Sequence, residues 1–206
     1  MDKTGGTGGQ LILGICGSLS ARSINKGLLQ AATTVLPDAV SFEWGDIASL
    51  PHFDPDLQES EGDPPSVTVL KHQIERCTAI LIAAPEYNFG IPGVLKNAID
   101  WASRPAPSVL ERKAVGIVSA SPALPGGVRG QLQLRQNLLY TNTYVLPQPQ
   151  FAVGLSRNKF NPDGSVHDEK TLRKLADYMQ TLIAWAGVVA QVGIWPGTKP
   201  DERHVF

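Results

Sequence analysis

The feature that most constrains this chain is an apolar run that ends in a serine-rich turn. Leu11-Ile12-Leu13-Gly14-Ile15-Cys16 is a short apolar run of the kind buried on both faces of a parallel sheet. Gly17-Ser18-Leu19-Ser20-Ala21-Arg22-Ser23-Ile24-Asn25 follows at once, and Leu28, Leu29, Ala32, Val35 and Leu36 then mark one face of a helix. Gly17 lets the backbone turn sharply at the strand end. Ser18, Ser20 and Ser23 bring hydroxyl donors, Arg22 brings a fixed positive charge, and the free N–H groups of the new helix point into the same loop. A helix start favours an anion by roughly 0.3–1 kcal/mol, and each hydrogen bond to a charged group adds roughly 1.5–3 kcal/mol. The plainer reading is a polar turn with a serine cap. The glycines of G-x-G-x-x-G and the Gly-Lys-Ser/Thr of a Walker loop are both absent, which favours a phosphate monoester over a pyrophosphate or triphosphate.

Further along, buried-type runs alternate with helical patterns. Val40 to Trp44 alternates like a strand, and Asp46 to Pro65 reads as a long irregular surface loop rich in Asp, Glu and Pro. Ser66 to Arg76 suggests a helix, Ala79 to Ala84 a strand, Gly93 to Ser103 a helix, Ala114 to Ser119 a strand and Gln131 to Tyr140 a helix. Tyr144-Val145 and Phe151-Ala152-Val153, with prolines between them, are candidates for the last strand. Asn161-Pro162-Asp163-Gly164 is a turn, and Asp168 caps a final helix with an inward stripe of Leu172, Leu175, Ala176, Met179, Leu182, Ile183 and Ala186. The expectation is a flexible tail over 1–10, one α/β domain over 11–195 and a second tail over 196–206. Its core is a five-stranded parallel sheet of order 2-1-3-4-5 with helices on both faces, the flavodoxin-like arrangement. In that order the loop after strand 1 and Pro85-Glu86-Tyr87-Asn88-Phe89-Gly90 after strand 3 meet at the switch point, where open α/β sheets bind ligands. The second loop suits a flat polar ring: backbone groups for its edge, Tyr87 and Phe89 for apolar surface, Asn88 as donor and acceptor.

These two loops resemble those of the NADPH-dependent FMN reductases, a flavodoxin-like group that includes quinone, chromate and azo-dye reductases. Gly17, Ser18, Leu19, Ser23 and Asn25 match the family's first loop. Pro85 to Asn88, and Pro92-Gly93-Val94-Leu95-Lys96-Asn97-Ala98-Ile99-Asp100-Trp101, match its second. The likeness runs over about residues 11 to 187. Ser20 departs from the pattern, standing where many members carry arginine, with Arg22 two places on. The resemblance implies FMN as cofactor and NADPH as hydride donor. It implies that Ser18, Ser20, Ser23 and Asn25 hold the phosphate, with Arg22 as the candidate for the missing charge. It places Pro85, Glu86, Tyr87 and Asn88 at the isoalloxazine ring and Ser119 at a further ring or ribityl contact. It also implies a homodimer or homotetramer with the flavin near the subunit interface, a region within reach of Arg104, just after the Trp101 helix.

The expected activity passes hydride from NADPH to FMN and on to a small acceptor: a quinone, azo dye, chromate or free flavin. The cofactor carries the chemistry, so no catalytic acid or base is named and no metal is expected. Two other readings stand beside it, a flavodoxin-type electron carrier and a flavin-free scaffold for a phosphorylated metabolite. Net charge of −1 and a pI near 6.4 give no field for nucleic acid or a membrane surface. Cys16 and Cys77 read as buried small hydrophobes. With no signal-peptide pattern, the expected location is the cytoplasm.

Overall fold

The computed structural model describes residues 9–192. The strands are β1 (Gln10–Cys16), β2 (Val40–Gly45), β3 (Ala79–Ala83), β4 (Ala114–Ala120), β5 (Tyr144–Val145) and β6 (Phe151–Val153). The helices are α1 (Ile24–Thr34), α2 (Pro55–Glu61), α3 (Pro65–Arg76), α4 (Gly93–Ala102), α5 (Val128–Tyr140) and α6 (Glu169–Gln191). The sheet order is β2-β1-β3-β4-β5, and every pairing is parallel. The expected order therefore holds, with one refinement. The fifth position is shared: β5 pairs with the first half of β4 and β6 with the second half. Pro147 and Pro149 lie between the two, and a proline has no N–H to give to a ladder.

Successive strand residues point to opposite faces, so each strand feeds two cores. On one side Leu28, Leu29, Leu175, Tyr178, Met179 and Leu182 of α1 and α6 pack on Ile12, Leu81 and Val118. On the other, Val67, Leu70, Ile74, Leu95, Trp101 and Leu138 of α3, α4 and α5 pack on Leu13, Ile80 and Ile117. Burying each such side chain is worth about 1.5–3 kcal/mol. Asp168 caps α6 as expected, accepting from the Thr171 N–H at 2.8 Å.

The stretch from Asp46 to Pro65 is not wholly irregular: it contains α2. The Asp54 carboxylate accepts from the Asp56 and Leu57 amides, and Pro55 fills the first helical position, where its missing N–H costs nothing. The segment before α2 is pinned to α4. The Asn97 and Trp101 side chains both donate to the Pro51 carbonyl at 2.8 Å, and Asn97 Oδ1 accepts from the Phe53 N–H at 2.7 Å. The Leu-Lys-Asn-Ala-Ile-Asp-Trp run thus has a mechanical reason: Leu95 and Trp101 fill the core while Asn97 and Trp101 anchor a loop. Of the expected tails, 1–8 and 196–206 lie outside the described residues, and Gln10 already belongs to β1.

Candidate active site

β1 and β3 are neighbours and end together, with Cys16 opposite Ala83. The Gly17 N–H donates to the Ala83 carbonyl at 2.9 Å. A Cβ on Gly17 would stand 3.1 Å from Pro85 Cδ. The serine-rich turn and the Pro85 loop are therefore in contact at the carboxyl edge of the sheet. Ser18 and Ser23 are buried in this turn, and Ser20 and Arg22 are exposed. Ser23 caps α1, its Oγ accepting from the Lys26 N–H at 3.3 Å, and Ser18 Oγ accepts from the Ser20 N–H at 3.4 Å. Arg22 forms no ion pair among the described residues. Beneath the turn, burial pushes the Cys16 thiol above its ordinary pKa, so it stays a neutral thiol. Burial likewise pushes Cys77 up to about 11, and both cysteines are unbridged.

Asn25 differs from expectation. Its amide is buried and doubly paired with the Ala120 backbone, Nδ2 donating to the carbonyl at 3.0 Å and Oδ1 accepting from the N–H at 2.9 Å. It fixes the start of α1 to the end of β4. Ser119 is also turned inward: fully buried, its Oγ donates to the Gly126 carbonyl at 2.6 Å and accepts from Gln131 Nε2 at 2.8 Å. That hydroxyl thus donates to the loop after β4 and accepts from α5.

The second loop is a tight hairpin turn. Tyr87 and Gly90 exchange both backbone hydrogen bonds at 2.9 Å, and Asn88 and Phe89 sit at φ of 51° and 65°. Asparagine visits this region readily, but for phenylalanine it costs about 1–3 kcal/mol. α5 offsets that cost. The Arg129 guanidinium lies over the Phe89 ring at 4.3 Å, and Gln133 Oε1 accepts from the Ile91 N–H at 2.6 Å. Glu86 closes the clasp: its carboxylate accepts from the Arg129 and Gly130 amides at 3.0 and 3.4 Å and pairs with Arg129 Nη1 at 3.3 Å. Tyr87 and Phe89 remain exposed at the rim, and Pro85 is buried. Arg129 and Gln133 escaped the sequence reading because nothing local ties them to a loop some forty residues earlier. Replacing Glu86 by alanine uncaps the first turn of α5 and is expected to cost about 0.5–2 kcal/mol, with Glu86→Gln losing less because its carbonyl still accepts. Denaturant unfolding of the two variants checks this order.

Arg104 lies just past the far end of α4, about 15 Å along the axis from Gly93, with its guanidinium 5.6 Å from the Phe53 ring. Within one copy of the chain it is away from the crevice. A cavity of about 370 Å³ lies at the opposite, amino-terminal edge of the sheet, lined in part by Gln10, Thr78, Arg112 and Lys113. Ligands of open α/β sheets bind at the carboxyl edge, so the crevice and not this cavity is the candidate. No group of three or more His, Cys, Asp or Glu side chains among the described residues is placed to hold a metal ion.

A model of the family described as NADPH-dependent FMN reductase matches residues 11–158. The chain belongs to that family. It is 37% identical over 174 residues to an NAD(P)H-dependent FMN reductase of Pseudomonas aeruginosa, covering 84% of this chain and 94% of the relative. It is 39% identical over 180 residues to an NAD(P)H:quinone oxidoreductase of Solanum tuberosum, covering 85% and 92%. Among solved structures, the flavoenzyme NAD(P)H:(acceptor) oxidoreductase of Paracoccus denitrificans superposes with a TM-score of 0.79 at 32% identity, covering 87% of this chain and 98% of that one. Membership of the FMN reductases makes this chain an FMN-dependent NAD(P)H oxidoreductase.

Proposed function

We propose that the crevice holds FMN with its phosphate in the turn over residues 17–25 and its ring along Pro85 to Asn88, and that the acceptor is a quinone-like molecule. The observation that carries this is the contact between the Gly17 turn and Pro85. The donor set fits a phosphate monoester: the hydroxyls of Ser18, Ser20 and Ser23, the Ile24 and Asn25 amides in the first turn of α1, and the exposed Arg22. Asn25 and Glu86 position the two loops from behind. The buried Pro85 and the exposed Tyr87 give the ring an apolar border, and Asn88 offers donor and acceptor at its edge. FMN held there would supply the redox chemistry, a two-electron relay between NADPH and the quinone. The protein's part is to bind, orient and shield, and no acid or base from the chain is assigned.

The names of several relatives support a quinone as acceptor. Exposed Leu132, Leu139 and Tyr140 on α5, on the helix that clasps the loop bearing Tyr87 and Phe89, support a homodimer or homotetramer. No helix among the described residues is long and apolar enough to cross a membrane, in keeping with a cytoplasmic location.

The purified protein should be yellow, should bleach on addition of NADPH without oxygen, and should regain colour with a quinone while NADPH consumption continues. A carrier without turnover would not sustain that consumption. The double variant Ser18→Ala, Arg22→Ala should bind FMN at least tenfold more weakly, about 1.4 kcal/mol, in a titration of apoprotein. Unchanged affinity would remove the phosphate from this turn.

A further inference from the structure

A small hairpin outside the matched family span packs on the back of the serine-rich turn. Phe160 and Val166 bridge its ends, and Asn161 and Ser165 are joined through their backbones at 2.8 Å. The Asp163 carboxylate accepts from the Ser165 N–H at 2.9 Å and from its hydroxyl at 2.7 Å, and Asn161 Nδ2 donates to the same Ser165 Oγ at 2.9 Å. This network presents Gly164, at φ 93°, to the turn. A Cβ on Gly164 would stand 3.0 Å from the carbonyl oxygens of both Arg22 and Ser23. From the other side, a Cβ on Gly27 would collide with the Gly164 carbonyl. Two glycines thus bring the hairpin backbone directly against the cap and first turn of α1. Neither contact leaves room for a methyl group without moving backbone.

We propose that the 161–165 hairpin is a positioning element that sets how tightly the phosphate end of the cofactor is held, with Gly164 and Asp163 as its determinants. The proposal rests on the phosphate assignment made above. The hairpin touches no cofactor on this account. It fixes the carbonyls of Arg22 and Ser23, and through them the direction of the Ser23 hydroxyl and the first α1 amides. Those donors meet the phosphate and not the ring. Its signature is therefore a change in FMN binding with little change in riboflavin binding, because riboflavin lacks the phosphate.

The test titrates apoprotein with FMN and with riboflavin. Wild type should bind FMN more tightly. Gly164→Ala should weaken FMN at least tenfold and riboflavin less than twofold. Asp163→Ala adds no atoms at the contact and only loosens the turn, so it should shift FMN at least threefold in the same direction; it decides the matter if Gly164→Ala does not fold. Gly62→Ala is the control. Gly62 has φ 80° with open space around its Cβ, so this variant carries positive-φ strain without the contact and should leave both affinities unchanged. Equal weakening of both flavins by the hairpin variants, or no weakening of FMN, overturns the positioning role. Wild-type protein that binds riboflavin as tightly as FMN would instead overturn the phosphate assignment, and the hairpin's role with it.

Discussion

Replacing Tyr178 by phenylalanine is expected to lower the stability by about 2–5 kcal/mol and the melting temperature by about 5–15 °C, although one oxygen is lost and no cavity is made. The reason lies in the split fifth strand. β4 pairs with β5 through Val115 and with β6 from Val118 onward. Between them the chain has left the sheet, and the N–H and C=O of Ile117 face the gap. The Tyr178 hydroxyl, projecting from α6, satisfies both: it accepts from the N–H at 2.7 Å and donates to the carbonyl at 3.0 Å. Phenylalanine would leave two buried backbone groups unpaired at about 1–3 kcal/mol each. Burial pushes the Tyr178 pKa up to about 12, so the hydroxyl keeps its proton throughout the neutral range. The sign follows: unfolded tyrosine ionises near 10, so this stabilisation is complete below about pH 10 and declines as the pH rises towards 12. Denaturant unfolding at pH 7 and pH 11 checks both points. A variant that unfolds within 0.5 kcal/mol of wild type, by a rough measure of surface substitutions, would refute the account.

The same gap shows which parts of the fold were legible in the sequence. Continuous apolar runs and 3.6-residue periodicity reveal strands and helices because burial imposes those patterns locally. The sheet order, and the meeting of the two loops, followed from that alternation. Tyr144-Val145 and Phe151-Val153 were both legible as strands, but their sharing of one position depends on β4, which no local pattern reports. The helix over Pro55–Glu61 was obscured by its acidic, proline-containing composition, although Asp54-Pro55 is a helix-start signal. In the candidate site, residue types pointed to two loops that the fold brings together, and less directly to what each side chain does there. Ser18, Ser20, Ser23 and Arg22 stand in or at the turn. Asn25 and Ser119 have the same polar chemistry but spend it inside the fold, on groups that come close only in the folded chain.

Asn25 carries the second large effect. β3 ends at Ala83, and its last bond to β4 is from the Ala84 N–H to the Val118 carbonyl at 2.9 Å. Two residues further on, Ala120 turns its N–H and C=O to the side that β3 has vacated, and the Asn25 amide takes both. The side chain thus acts as one more residue of strand, and it carries the start of α1 with it. Asn25→Ala should cost about 2–5 kcal/mol through the two orphaned groups. It should also weaken FMN by more than tenfold, because the α1 amides and Ser23 lose their registration to the sheet. Asn25→Asp separates the two effects by charge: it keeps one acceptor for the Ala120 N–H but sets a carboxylate oxygen against the Ala120 carbonyl, so it should be no better than alanine in unfolding experiments. If Asn25 touched the phosphate directly and left Ala120 unpaired, alanine would weaken FMN with the stability of the apoprotein unchanged. Thermal unfolding of flavin-free wild type and variants distinguishes the two, and a loss of stability without flavin is the expected result.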